Sequence, residues 1–315
     1  MSVSYAYGDI FASVGSTGNP PYPAPPTVPG AVLHYSNLGV LKNTLYGDNT
    51  QYTTGLAFNT AGMLFVSCFT GNVVSRFASG GSYLSSFGSG YDADPESIVI
   101  DNEGNVYVGQ ADGTQDILKF NSTGQLIESF DVATENRGSD WIELASDQCT
   151  MFYTSEGTLI KRYDVCSDEQ LTDFATLPSG EAYALKIRAN GEVMVAATGF
   201  VYRLDSSGAV IQTYSLLVPS TELFALNLDP DGVTFWSGDL LSGRIWRVNI
   251  ATGAIVTTWV VPIPSGSVFG GLAVFGEKFP PLSQEQYQRI YGWRANISDE
   301  ALETLEVFSS PQGFV

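Results

Sequence analysis

Two sets of polar residues sit at repeating places in the apolar runs of this 315-residue chain. Glu96, Asp140, Glu181 and Glu222 each stand where such a run begins. Carboxylate oxygens gathered this way could hold a calcium ion; without one they form an acidic rim. Glu143, Lys186 and Asn227 stand further along equivalent runs, in register with one another. A buried carboxylate near an ammonium and an amide is costly unless the groups satisfy each other. The first expectation is therefore a Glu143–Lys186 bridge buttressed by Asn227, and the alternative is a ligand site where Lys186 meets an anion. Nucleophilic chemistry finds little support. The chain has a single histidine, His34, too few for a zinc site, and no serine or cysteine is paired with it by position. No catalytic residue is assigned.

The elements that must position these residues are strands. In 96–130, four short runs rich in β-branched residues are separated by Asn102-Glu103-Gly104-Asn105, by the polar stretch before Ile117, and by Ser122-Thr123-Gly124. Glycine in such breaks supplies the positive φ that a tight hairpin demands, so the unit reads as a four-stranded antiparallel meander. Aligning Ile100 with Phe58, Leu144, Ile187 and Leu228 repeats the plan every 41 to 44 residues or so, the period of propeller blades. ESIVIDNEGNVYVG (96–109) thus matches GLAFNTAGMLFVS, DWIELASDQCTMFY, YALKIRANGEVMVA and FALNLDPDGVTFWS. Residues 8–14 and 31–45 look like the second, third and fourth strands of a blade that lacks its first. GGLAVFGE (270–277) supplies that strand from the other end of the chain. Closing the ring this way hides two sheet edges and makes the count six.

Over residues 8–277, with the signature seen in DNEGNVYV and DPDGVTFW, the chain resembles the six-bladed propellers of the NHL-repeat and gluconolactonase-like superfamily. The resemblance implies an all-β fold: a six-bladed β-propeller of four-stranded antiparallel blades, closed by a C-terminal strand in the N-terminal blade. It identifies function poorly, because the fold hosts lactonases, lyases and binding scaffolds. Gluconolactonase-like enzymes hold a central divalent cation with oxygen ligands, so Ca2+ at Glu96, Asp140, Glu181 and Glu222 stays open, although no cofactor is required. Streptogramin-lyase-like propellers rely on several histidines, which this chain cannot supply. His34 belongs to a third strand, away from the channel.

Cys149 starts the second strand of its blade and Cys166 ends the third. Pairing Tyr153 with Arg162 brings the two cysteines opposite one another, where a cross-strand disulfide is geometrically reasonable. If formed, it favours an oxidising setting, whereas two reduced, packed cysteines would read the same. Cys68 is expected to be buried.

A formal charge of −19 and a pI near 4.2 argue against nucleic acid or an anionic membrane as partner. No apolar run of about 18 residues suggests membrane insertion. Residues 1–15 carry no basic n-region, so no secretory signal is expected in this chain; an extracellular or virion-surface location is preferred to the cytoplasm. The proline-rich loop 15–30 stands beside the channel mouth in blade order, as a stiff decoration or a contact surface. The propeller is assigned to 1–277. In 278–315, Ser283-Gln284-Glu285-Gln286 reads as a capping box and Ser298-Asp299-Glu300 as a second helix start. This helical tail is expected to fold back on the domain or to carry self-association or a protein partner. Two readings of function follow: a non-catalytic binding or assembly propeller, as a surface or virion-associated structural protein, or a calcium-dependent lactonase-like hydrolase.

Overall fold

The computed structural model describes residues 3–15, 30–47, 52–216 and 222–277. In chain order the strands are β1 (Ile10–Gly15), β2 (Ala31–Tyr35) and β3 (Leu41–Leu45), then β4 (Thr53–Phe58), β5 (Leu64–Cys68), β6 (Val73–Phe77) and β7 (Tyr83–Phe87). β8 (Pro95–Ile100), β9 (Val106–Gln110), β10 (Ile117–Phe120) and β11 (Leu126–Phe130) follow. Next come β12 (Ile142–Leu144), β13 (Thr150–Tyr153), β14 (Leu159–Asp164), β15 (Glu169–Gln170) and β16 (Ala175–Thr176). β17 (Ala182–Ile187), β18 (Val193–Ala197), β19 (Phe200–Leu204) and β20 (Val210–Ser215) precede β21 (Leu223–Leu228), β22 (Thr234–Asp239), β23 (Arg244–Asn249), β24 (Ile255–Val260) and β25 (Val268–Val274).

They form six antiparallel sheets. Blade 1 has the order β25-β1-β2-β3, so the last strand of the chain completes the blade begun by the first. Blades 2, 3, 5 and 6 are the meanders β4–β7, β8–β11, β17–β20 and β21–β24. In blade 4 the outermost strand is split into β15 and β16, both paired with β14. The break is where the Arg162 guanidinium donates to the Thr172 carbonyl at 3.0 and 3.1 Å and lies over the Phe152 and Phe174 rings.

The turns follow the repeated signature. Asp101 Oδ1 accepts from the amides of Glu103 and Asn105, and Gly104 turns the chain at φ +86; the same Asx turn and left-handed glycine recur at Asn59–Gly62 and Asp229–Gly232, whereas in blade 4 the left-handed residue is Gln148.

The hydrophobic cores lie between blades. Six buried clusters fill the interfaces of neighbouring pairs, such as Phe11, Val32, Leu56, Leu64 and Ala273 between blades 1 and 2, and Met194, Val201, Phe235 and Val248 between blades 5 and 6. Each blade thus buries both faces of its sheet, and each large side chain so buried contributes about 1.5–3 kcal/mol. One place per second strand must stay small. Ser13, Ser67, Gly109, Thr154, Ala196 and Gly238 occupy it. A Cβ at Gly109 would meet the Ser139 carbonyl of the next blade at 2.0 Å. Where the place carries a hydroxyl, it staples blades instead: Ser13 donates to Thr54 O at 2.8 Å, Ser67 to Glu96 O at 2.8 Å, and Thr154 to Tyr183 O at 2.7 Å.

Cys149 and Cys166 are joined, with their Cα atoms 5.2 Å apart, and Cys68 is free and buried. The expected register is corrected by one residue: Tyr153 pairs with Lys161, and Arg162 with Phe152. Cys149 therefore lies opposite Val165, whose amide donates to the Cys149 carbonyl at 2.9 Å. Cys166 reaches the bridge diagonally, from a turn where its amide donates to Asp164 Oδ1. The proline-rich residues 16–29 and the tail 278–315 lie outside the described residues.

Candidate functional site at the two ends of the inner strands

The inner strands are irregular at their first residues, and this irregularity builds the site. Pro95 pairs with Gln110 and Ser97 with Gly109, which leaves Glu96 as an extra, unpaired residue. Comparable register shifts open β4 between Thr53 and Leu56, β17 between Ala182 and Leu185, and β21 between Leu223 and Ala225. A bulge bends the strand and re-aims a side chain. The places equivalent to Glu96 are Thr54, Asp140, Tyr183, Phe224 and Gly270, so this place carries an acid on blades 3 and 4 and an aromatic residue on blades 5 and 6.

Glu96 and Asp140 are each 1 % exposed. Neither oxygen of Asp140 has a hydrogen-bond partner, nor does Glu96 Oε2. Burial pushes both carboxyls well above the usual carboxylate range, and Glu96 raises Asp140 further; Glu156 adds to both shifts and Arg137 opposes them. Arg137 ion-pairs with Asp112 and lies 3.9 Å from Glu156 Oε1, with its guanidinium over the Phe69 ring.

A second tier lies two residues earlier on three blades. Asp94, Glu181 and Glu222 each accept, through the main-chain oxygen, from the second-strand side: Ala111, Thr198 and Leu240 donate. Asp94 is pushed up to about 7 by burial and by Asp112. Glu181 and Glu222, with Glu135 and Tyr183, line a cavity of about 600 Å³, and Tyr183 donates to Glu181 Oε2 at 3.0 Å. Glu156 links the tiers, because its carboxyl is raised by burial and by Glu181 and Glu222. Of the four carboxylates expected to gather, Glu181 and Glu222 line this cavity, whereas Glu96 and Asp140 are buried at the inner-strand starts and are not among its lining residues. Arg137, Glu156, Asp94 and Asp112 lie near them, and all four come from loops between strands. Among the described residues, only Cys149, Asp164 and Cys166 form a group of three with ligand atoms within 4.8 Å, and two of these are spent in the disulfide.

The second set lies three residues further, roughly 10 Å along an extended strand. Lys186 Nζ donates to Glu143 Oε2 at 3.2 Å and lies 3.8 Å from Glu277 Oε2. The expected buttress is corrected: Asn227 Nδ2 donates to Glu277 Oε2 at 2.8 Å, not to the Glu143–Lys186 pair, and the Leu228 amide donates to Glu277 Oε1 at 2.6 Å. Burial raises Glu143 to about 8, with Glu277 adding and Lys186 opposing. Glu277 is likewise raised, by burial first.

His34 lies in β2, third from the centre of blade 1, and is fully buried. Its Nε2 is 2.6 Å from Asp9 Oδ2, to which Lys42 donates at 2.5 Å. Burial would raise the Asp9 carboxyl, but His34, Lys42 and the Ala6 amide outweigh it and hold it low. This cluster fastens the first residues of the chain.

The fold and the mouth define a six-bladed β-propeller. Among known families, residues 87–119 match the one described as strictosidine synthase-like, N-terminal. No curated protein sequence matches the chain significantly. Solved structures show the same fold: a nidogen/laminin complex at TM-score 0.64 and 14% identity, covering 84% of this chain and 98% of that one; a streptogramin B lyase at 0.54 and 16%, covering 67% and 70%; and virginiamycin B lyase from Staphylococcus aureus at 0.52 and 15%, covering 67% and 71%.

Proposed function

We propose that this propeller binds rather than breaks bonds, taking a ligand at its acidic mouth and a protein partner or second copy through residues 278–315. One observation carries the reading: Asp140 is buried and its two oxygens meet no donor among the described residues, while the one histidine is held in the third strand of blade 1. A buried polar group without a partner is costly, and the deficit is made good by a bound donor. The similar folds include lyases and a nidogen/laminin complex, so fold alone decides nothing. Extracellular or virion-surface placement is proposed with the binding role, in keeping with the Cys149–Cys166 disulfide.

The second reading is a calcium-dependent lactonase-like hydrolase, favoured by the raised carboxyls of Glu96 and Asp140, which suit proton transfer. Full-length protein assayed on lactones and aryl esters, with and without calcium, separates the two. The binding reading expects no turnover above buffer. Calcium-dependent turnover that disappears in Glu96→Gln or Asp140→Asn overturns it.

A further inference from the structure

We infer that residues 279–293 lie against the outer hairpin of blade 1 in the same chain, covering Leu38, Val40 and Leu41. The inference rests on the reading of 278–315 as a contact segment and divides that segment. Residues 279–293 anchor it, and 294–315 are presented to the partner.

The internal repeat marks the hairpin out. In blades 1, 2, 3 and 5 the turn before the outermost strand closes in one way. The amides of Gly39, Gly81, Gly124 and Gly208 donate to the carbonyls of Ser36, Ala78, Asn121 and Asp205 at 2.8 to 3.0 Å. The residue before each glycine is Leu38, Gly80, Thr123 or Ser207, and the residue after it is Val40, Ser82, Gln125 or Ala209. Small or polar residues therefore suffice for the turn, yet blade 1 carries large apolar side chains at both places. Leu38 is 84 % exposed, Val40 63 % and Leu41 50 %. Apolar side chains grouped in this way mark a surface that something covers.

The end of the ring lies beside this hairpin. The Gly8 amide donates to the Phe275 carbonyl at 2.8 Å, and a Cβ at Gly8 would lie 3.6 Å from the Asn37 side chain. Two contacts thus separate the last strand from the residue before Leu38. The chain from Glu277 to Leu282 reaches up to about 17 Å when extended, enough to arrive there. The chemistry of the segment matches. Phe279, Leu282 and Trp293 are apolar, and Tyr287, Ile290 and Tyr291 have the spacing of one helix face. Lys278, Arg289 and Arg294 against Glu285 give 278–294 a formal charge of +2, in a chain that carries −19. This stretch is attracted to the acidic propeller, whereas 298–306, with Asp299, Glu300, Glu303 and Glu306 and no base, is repelled from it.

The test is thiol chemistry on the full chain. Cys149 and Cys166 are bridged and Cys68 is buried, so an introduced surface thiol is the one that reacts. Alkylation of Leu38→Cys should be several-fold slower than that of Ser207→Cys, the equivalent place on blade 5. Adding Ile290→Asp and Tyr291→Asp should bring the two rates together, with melting curves confirming that the ring stays folded. A short bismaleimide should link Leu38→Cys to Ile290→Cys within one chain and leave Ser207→Cys with Ile290→Cys unlinked. Equal alkylation rates in the two single variants, or no link to Leu38→Cys, overturns the inference. A link found only in cross-linked dimers also overturns the contact within one chain, and leaves a second copy as the partner proposed above. Calcium-dependent hydrolysis in the assay above overturns the binding reading and leaves this contact standing.

Discussion

Glu143 and Glu277 share one ammonium, and that imbalance sets how stability responds to pH. The ordinary value for a glutamate is 4.5, and in the fold Glu143 rises to about 8, chiefly through burial. A carboxyl raised on folding holds its proton more tightly in the native state. Its contribution is complete below pH 4.5 and is lost as pH rises through about 8. Glu277 is raised too and acts in the same direction. The wild-type urea midpoint should therefore fall between pH 5 and pH 9, by an amount equivalent to roughly 3–5 kcal/mol. Glu143→Gln leaves Lys186 beside Glu277 and should flatten the profile, making the protein more stable than wild type at pH 8. Lys186→Met removes the shared cation and should cost about 3 kcal/mol at pH 8 and less at pH 5; Glu143→Gln in that background should recover part of the loss. A flat wild-type profile would sink the account. Glu143 and Lys186 were legible because the repeat puts them in register. Glu277 was not, since the equivalent places Ala61, Glu103, Asp147 and Asn190 sit exposed in hairpin turns. After β25 the Glu277 amide instead donates to the Val274 carbonyl, and its carboxyl reaches Asn227 and Leu228 of blade 6.

At the scale of elements, apolar alternation revealed the strands but not their bulges. A bulge is a relation between two strands, and a one-residue slip changes no local pattern. The mouth therefore appeared in sequence as acids at run starts, without the reason they leave the ladder. The disulfide register failed by one for the same cause: a turn with Glu156 at φ +48 shifts the partner of Tyr153. The bridge itself survived, because a diagonal cross-strand pair still brings the Cα atoms to 5.2 Å. It spans 17 residues, so Cys149→Ser with Cys166→Ser should cost up to about 3 kcal/mol. Alkylation without reductant should spare this pair and label Cys68 only after unfolding; labelling of all three in native oxidised protein would refute it. Blade packing offers a sharper check. Gly109→Val places a branched side chain against the Ser139 carbonyl, where even a Cβ comes to 2.0 Å. It should cost about 1–3 kcal/mol or more in urea titration. An unaffected midpoint would mean that blades 3 and 4 do not approach as described.

Ring closure concerns the whole molecule, and two separate fastenings hold it. β25 pairs with β1 from Ile10↔Val274 to Gly15↔Val268 and lends Phe269, Leu272 and Val274 to the core between blades 6 and 1, and Ala273 to that between blades 1 and 2. Beyond the strand, Glu277 accepts from Asn227 and Leu228 of blade 6 and faces Lys186 of blade 5. Deleting 270–315 removes both fastenings. It opens two cores and exposes the edge of β1, whose Ile10, Phe11 and Ala12 are fully buried in the ring, so aggregation is expected. Ending the chain after Glu277 keeps both, and the shortened protein should melt cooperatively within a few degrees of the full chain. Glu277→Ala in that shortened chain isolates the second fastening. It strands the Leu228 amide and the Asn227 side chain without their acceptor, which should cost about 2–3 kcal/mol. Sedimentation of the full chain and of 1–277 tests the tail: if 1–277 self-associates as the full chain does, residues 278–315 are not the contact. A soluble monomer with cooperative unfolding after deletion of 270–315 would show that the ring does not depend on its last strand.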